Sequence, residues 1–579
     1  MRPLSALAAP TLSMLSTLSL LVPPPARADL RADAVAALEQ EHAAGRFTRG
    51  SLAIVGPEGQ TTLHAFGDGD PLRTIWRLPA VSKVVVAVTA LQLEEEGRLD
   101  LRAPVGKYLK GLKDLEVPVV DTGQLLTHTG AIPDTLLGAL AARPEDLLPL
   151  RDTFSRQPLP ATAPPGERFA YSNRGFALVG LVVETLRGQS FAEVADARVF
   201  EPLAMTRTSF VQPPPGYDVA DALRPPLFQA YPAGSLTGTA ADIGRLIAAL
   251  LPTSSGPRIL RPETLERLTA THWRAHDSAP GVAYGLFESR TSRGRALFAV
   301  GGGGDHSLLY LLPESGFGVF FAAEGDEATA LAVRERLAQA LATEIGIDES
   351  AAPIGSLGGS VGGSDLHGNV AGLYLSNAVN PWTVEKLQAL LLQMRVRELP
   401  GGRLSVESPL GGPPLAADFA SPGVYRPTRG GQLVFSSTAD GGRQMTLVGS
   451  IWDPNGFHRV SWTQDARLHL GALLAFLAAF FLRPVFGVKW WPLSLVPTLL
   501  LLAAFLCAAA TPFLFPPPHP DLPWSVRAAL ALLTAATLAG LVLPFRLPKT
   551  RRTLAWMYVL VSAAGFAFVV HYNLYLFFR

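Results

Sequence analysis

Four apolar segments follow one another at the C-terminal end of this 579-residue chain, and they restrict its fold more than any other sequence feature. They lie at about 468–482, 493–514, 526–545 and 554–577. The last three are long enough to cross a hydrocarbon layer of about 30 Å as helices, and the first suffices if flanking residues snorkel. A charged content of 17% and a mean hydropathy of +0.25 agree with this. We therefore expect residues 466–579 to form a domain of four transmembrane helices in the lipid bilayer.

Basic residues between these segments indicate their orientation. Arg483 and Lys489 lie in the first connection and further Lys and Arg residues lie at 546–552 in the third, whereas the second connection, 516–524, has none. Basic connections tend to stay in the cytoplasm, so the expected location is the inner cell membrane, multi-pass, with the N-terminal domain on the periplasmic or extracellular side. The segments show no clear charge relay, so anchoring, or docking of a membrane-protein partner, fits better than transport.

The N-terminus also indicates export. Arg2 precedes a mostly apolar stretch at 4–22, and Ala26-Arg27-Ala28 has the pattern of a cleavage site, so residues 1–28 are expected to be a signal peptide. An uncleaved anchor helix is the alternative, and in both cases the next domain is exported. The single cysteine, Cys507, excludes an intrachain disulfide.

Several function classes find no support in the sequence. The formal net charge is +1, and no basic stripe occurs outside the connections between apolar segments, so no nucleic-acid partner is expected. We find neither the spacing of metal ligands nor a glycine-rich phosphate loop before a helix, so no cofactor is expected.

A helix that begins near residue 80 carries the most informative residues for function. Its start reads W-R-L-P-A-V-S-K at 76–83, an apolar run follows to Leu93, and we expect the helix to cover 80–96. Side chains three residues apart share one helix face, so Ala80 and Lys83 are expected to face the same space. Lys83 could act there as a base, beside helix N–H groups that could face an oxyanion. Alanine has no atom with which to attack a carbonyl.

Five further runs occur in order: L-L-T-H-T-G at 125–130, P-G-E-R-F-A-Y-S-N at 165–173, G-F-A-L-V-G at 175–180, F-E-P-L-A-M at 200–205 and P-A-G-S-L at 232–236. With the helix start they resemble the class C β-lactamase and D-alanyl-D-alanine carboxypeptidase family, penicillin-binding-protein-like serine hydrolases that include esterases. The resemblance covers about 31–345, within a domain placed at 29–348. It implies an α+β fold, in which helices flank an antiparallel sheet of five or more strands and the pocket lies beside a helical subdomain.

The resemblance also implies roles for individual residues. The family carries its nucleophile in a Ser-x-x-Lys motif whose serine position is Ala80 here, so we expect acyl-transfer activity to be lost. Lys83 and Tyr171 match the residues that move protons near that nucleophile. Asn173 matches an asparagine that hydrogen-bonds the substrate amide.

A third family motif, a strand with Lys or His, a small residue and Gly, is best matched by Val300-Gly301-Gly302-Gly303. Valine removes the cation that attracts the substrate carboxylate. Gly302 and Gly303 still allow close approach of the backbone to a ligand, and the oxyanion donor is expected at Gly303. The role of His306 stays open, because the glycine-rich segment before it is short.

Plainer interpretations exist for the same positions. Lys83 could be a snorkelling surface residue, Tyr171 and Asn173 could be turn residues, and His128 is more often structural in such a motif.

Two serines are candidates for a replacement nucleophile. Ser82 lies about 200° around the helix from Ala80, so we expect it on the packed side rather than in the cleft. Ser172 lies between Tyr171 and Asn173, and it points away from both if that segment is extended.

The segment between the two main regions has its own pattern. Residues 349–368 are rich in Gly and Ser and are typical of a flexible linker. Short apolar runs between Gly-rich turns at 369–465 indicate a small β-rich module, similar to accessory domains that follow the catalytic domain in some family members. We assign it no chemistry.

Three hypotheses follow for function. The first is a pseudoenzyme that binds a peptidoglycan peptide or another acyl or lactam ligand without turnover. The second is an active serine-type hydrolase, an esterase, peptidase or β-lactamase, that uses an unrecognised nucleophile. The third is a membrane scaffold whose outer domain is a spacer.

Overall fold

A computed structural model describes residues 30–337 and 370–481 apart from short internal gaps, the longest of which is 214–226, and isolated positions from 527 to 563. The predicted signal peptide at 1–28 and the predicted linker at 349–368 lie outside the described residues. The helices are α1 (Leu30–Ala43), α2 (Pro79–Glu95), α3 (Thr122–Leu126), α4 (Leu150–Arg156), α5 (Asn173–Arg187), α6 (Phe191–Ala195), α7 (Ala240–Leu250), α8 (Pro262–Thr269) and α9 (Ala466–Phe481).

The first sheet is antiparallel and orders its strands β2-β1-β12-β11-β10-β9-β8-β7. These strands are β1 (Gly50–Val55), β2 (Thr61–Phe66), β7 (Trp273–Arg274), β8 (Gly281–Ala283), β9 (Leu286–Thr291), β10 (Gly294–Gly301), β11 (Asp305–Leu312) and β12 (Phe317–Glu324). Two strand pairs stand apart from it: β3 (Trp76–Arg77) with β6 (Thr237–Gly238), and β4 (Leu140–Ala141) with β5 (Leu227–Phe228).

Helices cover both faces of this sheet, which explains the unbroken apolar run in β11. Leu309 and Leu311 pack into a core shared with α2, α5 and α7, whereas Leu308 and Tyr310 pack into a second core with α1. The alternation follows from the two-residue period of a strand. This antiparallel sheet between helices agrees with the β-lactamase-like fold expected from the sequence.

Helix α2 runs through the centre of the first core. Every residue from Ala80 to Leu93 is buried, although the run is rich in valine, which is a weak helix former. A helix that is apolar all round belongs inside a protein, and packing here outweighs intrinsic propensity. Pro79 occupies the first turn, where its missing N–H leaves no hydrogen bond unmade.

The second sheet is antiparallel and closes on itself, because β13 pairs with both β14 and β20. Its strands are β13 (Gly372–Ser376), β14 (Gln393–Leu399), β15 (Arg403–Glu407), β16 (Leu415–Ser421), β17 (Val424–Pro427), β18 (Gln432–Ser437), β19 (Arg443–Val448) and β20 (Asn455–Val460). Buried Tyr374, Phe435 and Met445 belong to the core inside it. A short 3-10 helix, Val384–Leu390, connects β13 to β14.

The predictions of four C-terminal transmembrane helices and of a multi-pass location in the inner membrane are wrong. Among the residues that the structure describes, no helix combines the length and the apolar character needed to cross a bilayer. The first predicted segment, 468–482, falls in α9, which has 16 residues. At about 1.5 Å per residue it rises about 24 Å, less than a hydrocarbon layer of about 30 Å. The other three segments lie almost entirely outside the described residues.

Candidate functional site

Lys83 lies at the centre of the site and is almost completely buried, with 4% of its surface exposed. Its Nζ donates to Asn173 Oδ1 at 2.8 Å and to the Ala233 carbonyl at 2.9 Å. The same Nζ lies 5.0 Å from the centroid of the Tyr171 ring, within the range of a cation–π contact. The structure therefore brings together three elements that the sequence motifs indicated: the start of α2, the start of α5 and the run at 232–236. Lys83 is not a snorkelling surface residue.

Asp134 continues the hydrogen-bond chain and was not predicted from the sequence. Its Oδ2 accepts from Asn173 Nδ2 at 2.8 Å, so the Asn173 amide bridges the Lys83 ammonium and the Asp134 carboxylate. Its Oδ1 accepts from the Arg174 backbone N–H at 2.9 Å and from the Ser172 hydroxyl at 3.3 Å. The carboxylate thus fixes both the first turn of α5 and the orientation of the Asn173 amide. The only sequence signal was its position four residues after Gly130 and directly after Pro133.

Ala80 is the second residue of α2 and is 7% exposed. It lies three residues before Lys83 and therefore on the same face of the helix. The methyl group supplies neither a nucleophile nor a hydrogen-bond partner for Lys83. The Lys83 ammonium is held instead by its hydrogen bonds to the Ala233 carbonyl and to Asn173 Oδ1 on neighbouring segments.

His128 is a structural residue beneath the site. Its Nδ1 accepts from the Ser172 backbone N–H at 3.0 Å, its carbonyl accepts from Ala170 N–H at 2.8 Å, and its ring stacks on Tyr171 at 4.4 Å. Burial, followed by the nearby Lys83 charge, holds the pKa of the His128 imidazole well below its usual range. A neutral ring can keep Nδ1 as an acceptor, so His128 holds the backbone on both sides of Tyr171.

The two serines considered as replacement nucleophiles both make structural hydrogen bonds. Ser82 is completely buried, donates to the Leu78 carbonyl at 3.3 Å and accepts from the Leu236 backbone N–H at 3.1 Å. Ser172 is the N-cap of α5, where its Oγ accepts from Gly175 N–H at 2.9 Å. Neither hydroxyl is hydrogen-bonded to Lys83, the base that a nucleophile would need.

Strand β10 approaches the start of α2 where the third motif was predicted. Val300 is buried in the core on the α1 side of the sheet. A Cβ on Gly301 would lie 2.9 Å from Pro79 Cγ, so glycine permits the close approach. Gly302 and Gly303 lie outside the described residues.

The start of β11 is hydrogen-bonded to neighbouring segments. Asp305 Oδ2 accepts from the Arg77 backbone N–H at 2.9 Å, and burial raises the pKa of this carboxyl. His306 Nε2 lies 2.9 Å from the Gly325 carbonyl. Among the described residues, no group of three or more His, Cys, Asp or Glu side chains is arranged to hold a metal ion.

Comparisons with known proteins identify a matching family and relatives of this chain. The family model described as "Beta-lactamase" matches residues 35–344. Among curated relatives, Esterase EstB of Burkholderia gladioli is 34% identical over 189 residues, which cover 29% of this chain and 48% of that protein. Penicillin-binding protein 4* of Bacillus subtilis is 28% identical over 171 residues, 27% of this chain and 37% of its own. The chain thus spans less than half the length of these two relatives.

Two solved structures are also similar. The D-alanine carboxypeptidase AmpC from Burkholderia cenocepacia is 20% identical with a TM-score of 0.43, and the match covers 54% of this chain and 99% of that one. SurE with D-Leu is 20% identical with a TM-score of 0.48, covering 74% and 99%. The matched family model covers more than half of the 579 residues. The chain therefore belongs to the β-lactamase family, as its sequence motifs predicted.

Proposed function

We propose that this protein is a pseudoenzyme that binds an acyl compound, either a cell-wall peptide or a related lactam, without transferring its acyl group. The observation that carries the proposal is the pairing of Ala80 with a complete Lys83–Asn173–Asp134 hydrogen-bond chain. The reactive oxygen is missing, and so is the cation at Val300, from a site that keeps Lys83, Tyr171 and Asn173. The names of the relatives, an esterase and a penicillin-binding protein, support an acyl ligand.

The energetics favour binding without turnover. Removing the nucleophile of a serine protease lowers turnover about 10⁶-fold, or about 8 kcal/mol of activation free energy. Ligand binding need not change by that amount, because hydrogen bonds and shape determine it. The buried Lys83 is also kept in place by its two acceptors, since a buried ammonium without partners would be strongly destabilising.

The alternative is a hydrolase with a different nucleophile. Ser82 and Ser172 are the two serines considered above as replacements, and both hydroxyls are engaged in holding the backbone. Their commitment to structural hydrogen bonds favours the pseudoenzyme.

Labelling with a fluorescent penicillin tests the proposal. We expect the unaltered full-length protein to show no covalent adduct by mass spectrometry and no turnover of an activated ester. Ala80→Ser restores the hydroxyl beside Lys83, and we expect this variant to become labelled. Lys83→Ala in that background should abolish labelling. The matched control is Lys107→Ala in the same background, because Lys107 also lies over a tyrosine ring, at 5.3 Å, but on the surface.

Non-covalent binding is measured in parallel, as an increase in melting temperature of the unaltered protein with penicillin or with a peptide ending in D-alanyl-D-alanine. An adduct on any native side chain of the unaltered site, or rapid ester turnover, would contradict the proposal. So would the absence of both a thermal shift in the unaltered protein and labelling of Ala80→Ser.

A further inference from the structure

The second sheet contacts the segment that carries Tyr171 and Asn173. Asn377, directly after β13, donates from Nδ2 to the Phe169 carbonyl at 2.8 Å in a buried hydrogen bond. Gln444 of β19 donates from Nε2 to the Glu167 carbonyl at 3.3 Å. Both acceptors are backbone atoms a few residues before Tyr171.

Strand β20 touches the same segment with its backbone. A Cβ on Gly456 would lie 2.1 Å from the Phe169 carbonyl oxygen, closer than any real contact, so only glycine fits there. The Gly456 carbonyl accepts from Asn377 N–H at 2.8 Å, and His458 Nδ1 lies 2.8 Å from Asn377 Oδ1. These contacts orient the Asn377 amide so that its nitrogen faces Phe169.

Residues 167–169, which the second sheet contacts, lead directly to the site residues Tyr171 and Asn173. Ala170 N–H donates to the His128 carbonyl and Ser172 N–H donates to His128 Nδ1, so the chain between them is fixed against His128 on its inner side. The second sheet fixes the outer side through Phe169. Tyr171 is therefore held between two supports, one from each half of the molecule.

A second contact of the second half of the molecule reaches the segment that carries Asp134. Glu385, in the 3-10 helix after β13, accepts from the Thr135 hydroxyl at 3.0 Å. Thr135 follows Asp134, whose carboxylate orients the Asn173 amide. The same Glu385 charge acts on the buried Arg174 guanidinium, next to Asn173.

We propose that Asn377, Gly456 and Glu385 are positioning residues of the acyl-ligand site, and that the second sheet is a working part of that site. The inference rests on the proposed function for its ligand. Without these contacts, the segment at 167–171 moves and Tyr171 and Asn173 lose their alignment with Lys83. Displacement of a reacting group by about 1 Å can lower a rate about 100-fold.

The first test uses full-length Ala80→Ser as the reporter and compares Gly456→Ala with Gly471→Ala in that background. Gly471 lies in α9 with nothing within 4 Å of an added Cβ, so it is the matched control. We expect Gly456→Ala to lower the labelling rate at saturating fluorescent penicillin at least 10-fold, and Gly471→Ala to leave it unchanged. Asn377→Ala and Asn377→Asp are also expected to lower the labelling rate. Alanine has no donor for the Phe169 carbonyl, and an ionised aspartate cannot donate to it.

The second test needs no ligand and uses hydrogen exchange of the Ala170 and Ser172 amides in the Ala80-containing protein. We expect faster exchange at both amides in Gly456→Ala and no change in Gly471→Ala. If Ala80→Ser is never labelled, exchange alone decides this inference, and the proposed function fails if the unaltered protein also shows no thermal shift. Unchanged amide exchange in Gly456→Ala would overturn the inference. It would also be overturned if exchange became faster in Gly456→Ala while the labelling rate at saturating fluorescent penicillin, measured in the Ala80→Ser background, stayed the same.

Discussion

At the scale of single residues, the Asn173 amide joins two opposite charges that do not touch directly. Its oxygen faces the Lys83 ammonium and its nitrogen faces the Asp134 carboxylate, so each end of the amide meets the charge that suits it. A hydrogen bond to a charged group contributes about 1.5–3 kcal/mol, more than one between neutral groups. The orientation of the amide is therefore determined by its neighbours before any ligand arrives.

Asp134→Asn tests this arrangement. Both oxygens of the Asp134 carboxylate accept hydrogen bonds, whereas an asparagine has one oxygen and one NH₂ group. The NH₂ group of the new side chain would therefore face a donor, and at least one hydrogen bond is lost. We expect the free energy of unfolding to fall by about 2 kcal/mol in urea denaturation. Asp70→Asn is the control, because the Asp70 carboxylate also accepts a backbone N–H, from Leu72 at 2.8 Å, but in an exposed turn. Equal effects of the two substitutions would contradict the assigned role.

Ser82→Ala separates a structural hydroxyl from a reactive one. The change leaves the Leu236 N–H without its acceptor in a buried position, which predicts a loss of about 1–2 kcal/mol in the free energy of unfolding. Labelling of the Ala80→Ser protein by fluorescent penicillin is expected to persist in the double variant at saturating concentration. Loss of labelling without loss of stability would identify Ser82 as part of the chemistry.

At the scale of elements, the sequence indicated the helices around the site more accurately than their contacts. The apolar run after Pro79 predicted a helix at 80–96, and the structure has α2 at Pro79–Glu95. The N-caps of α5 and α7 are also local signals, because Ser172 and Thr239 directly precede these helices and accept hydrogen bonds from their first turns. Asp134 could not be assigned, because its role depends on a contact with Asn173 39 residues away. Apolar composition located α9 to within two residues, but the prediction that this helix spans a membrane was wrong, because its 16 residues are too few to cross a bilayer.

Helix α5 supports the site through its packing against the segment that binds Lys83. A Cβ on Gly180 would lie 2.7 Å from Pro232 Cγ, and Pro232 precedes the carbonyl of Ala233 that accepts from Lys83. Gly180→Ala is therefore expected to displace that carbonyl, lower the free energy of unfolding by about 1–3 kcal/mol and slow labelling in the Ala80→Ser background.

The matched control for Gly180→Ala is Gly106→Ala, because nothing lies within 4 Å of a Cβ added at Gly106. Urea denaturation and the labelling rate are measured for both variants. An increase in stability for Gly180→Ala, as expected from helix propensity alone, would show that the two segments do not press on each other.

At the scale of the whole molecule, the two sheets share a buried and partly polar boundary. Ala279 from the first half packs with Val434 and Val448 of the second sheet, and His458 lies near the polar contacts at Asn377. Burial, followed by the Arg168 charge, lowers the pKa of His458 to about 4. The boundary therefore contains a group that resists protonation while the sheets remain together.

Acid is expected to weaken this boundary. An unfolded histidine has a pKa near 6.5, so below that pH the unfolded chain binds a proton that the folded chain does not. The contribution of His458 to stability is fully present above about pH 6.5 and is lost between there and pH 4, by about 3 kcal/mol.

His458→Asn keeps an N–H donor for Asn377 but cannot titrate. Relative to the unaltered protein, the variant should gain about 3 kcal/mol in the free energy of unfolding between pH 7 and pH 4, measured by urea denaturation at each pH. A difference between the two proteins that does not depend on pH would contradict the expectation.

The missing side chain at Gly456 also determines how the two halves can be arranged. The residues on either side of it, Asn455 and Phe457, both carry side chains, so sliding β20 by one position would drive a side chain into the Phe169 carbonyl. The two halves therefore fit together with β20 in a single register against Phe169. Replacing the second sheet with that of a relative would succeed only if the replacement had a glycine at the position of Gly456.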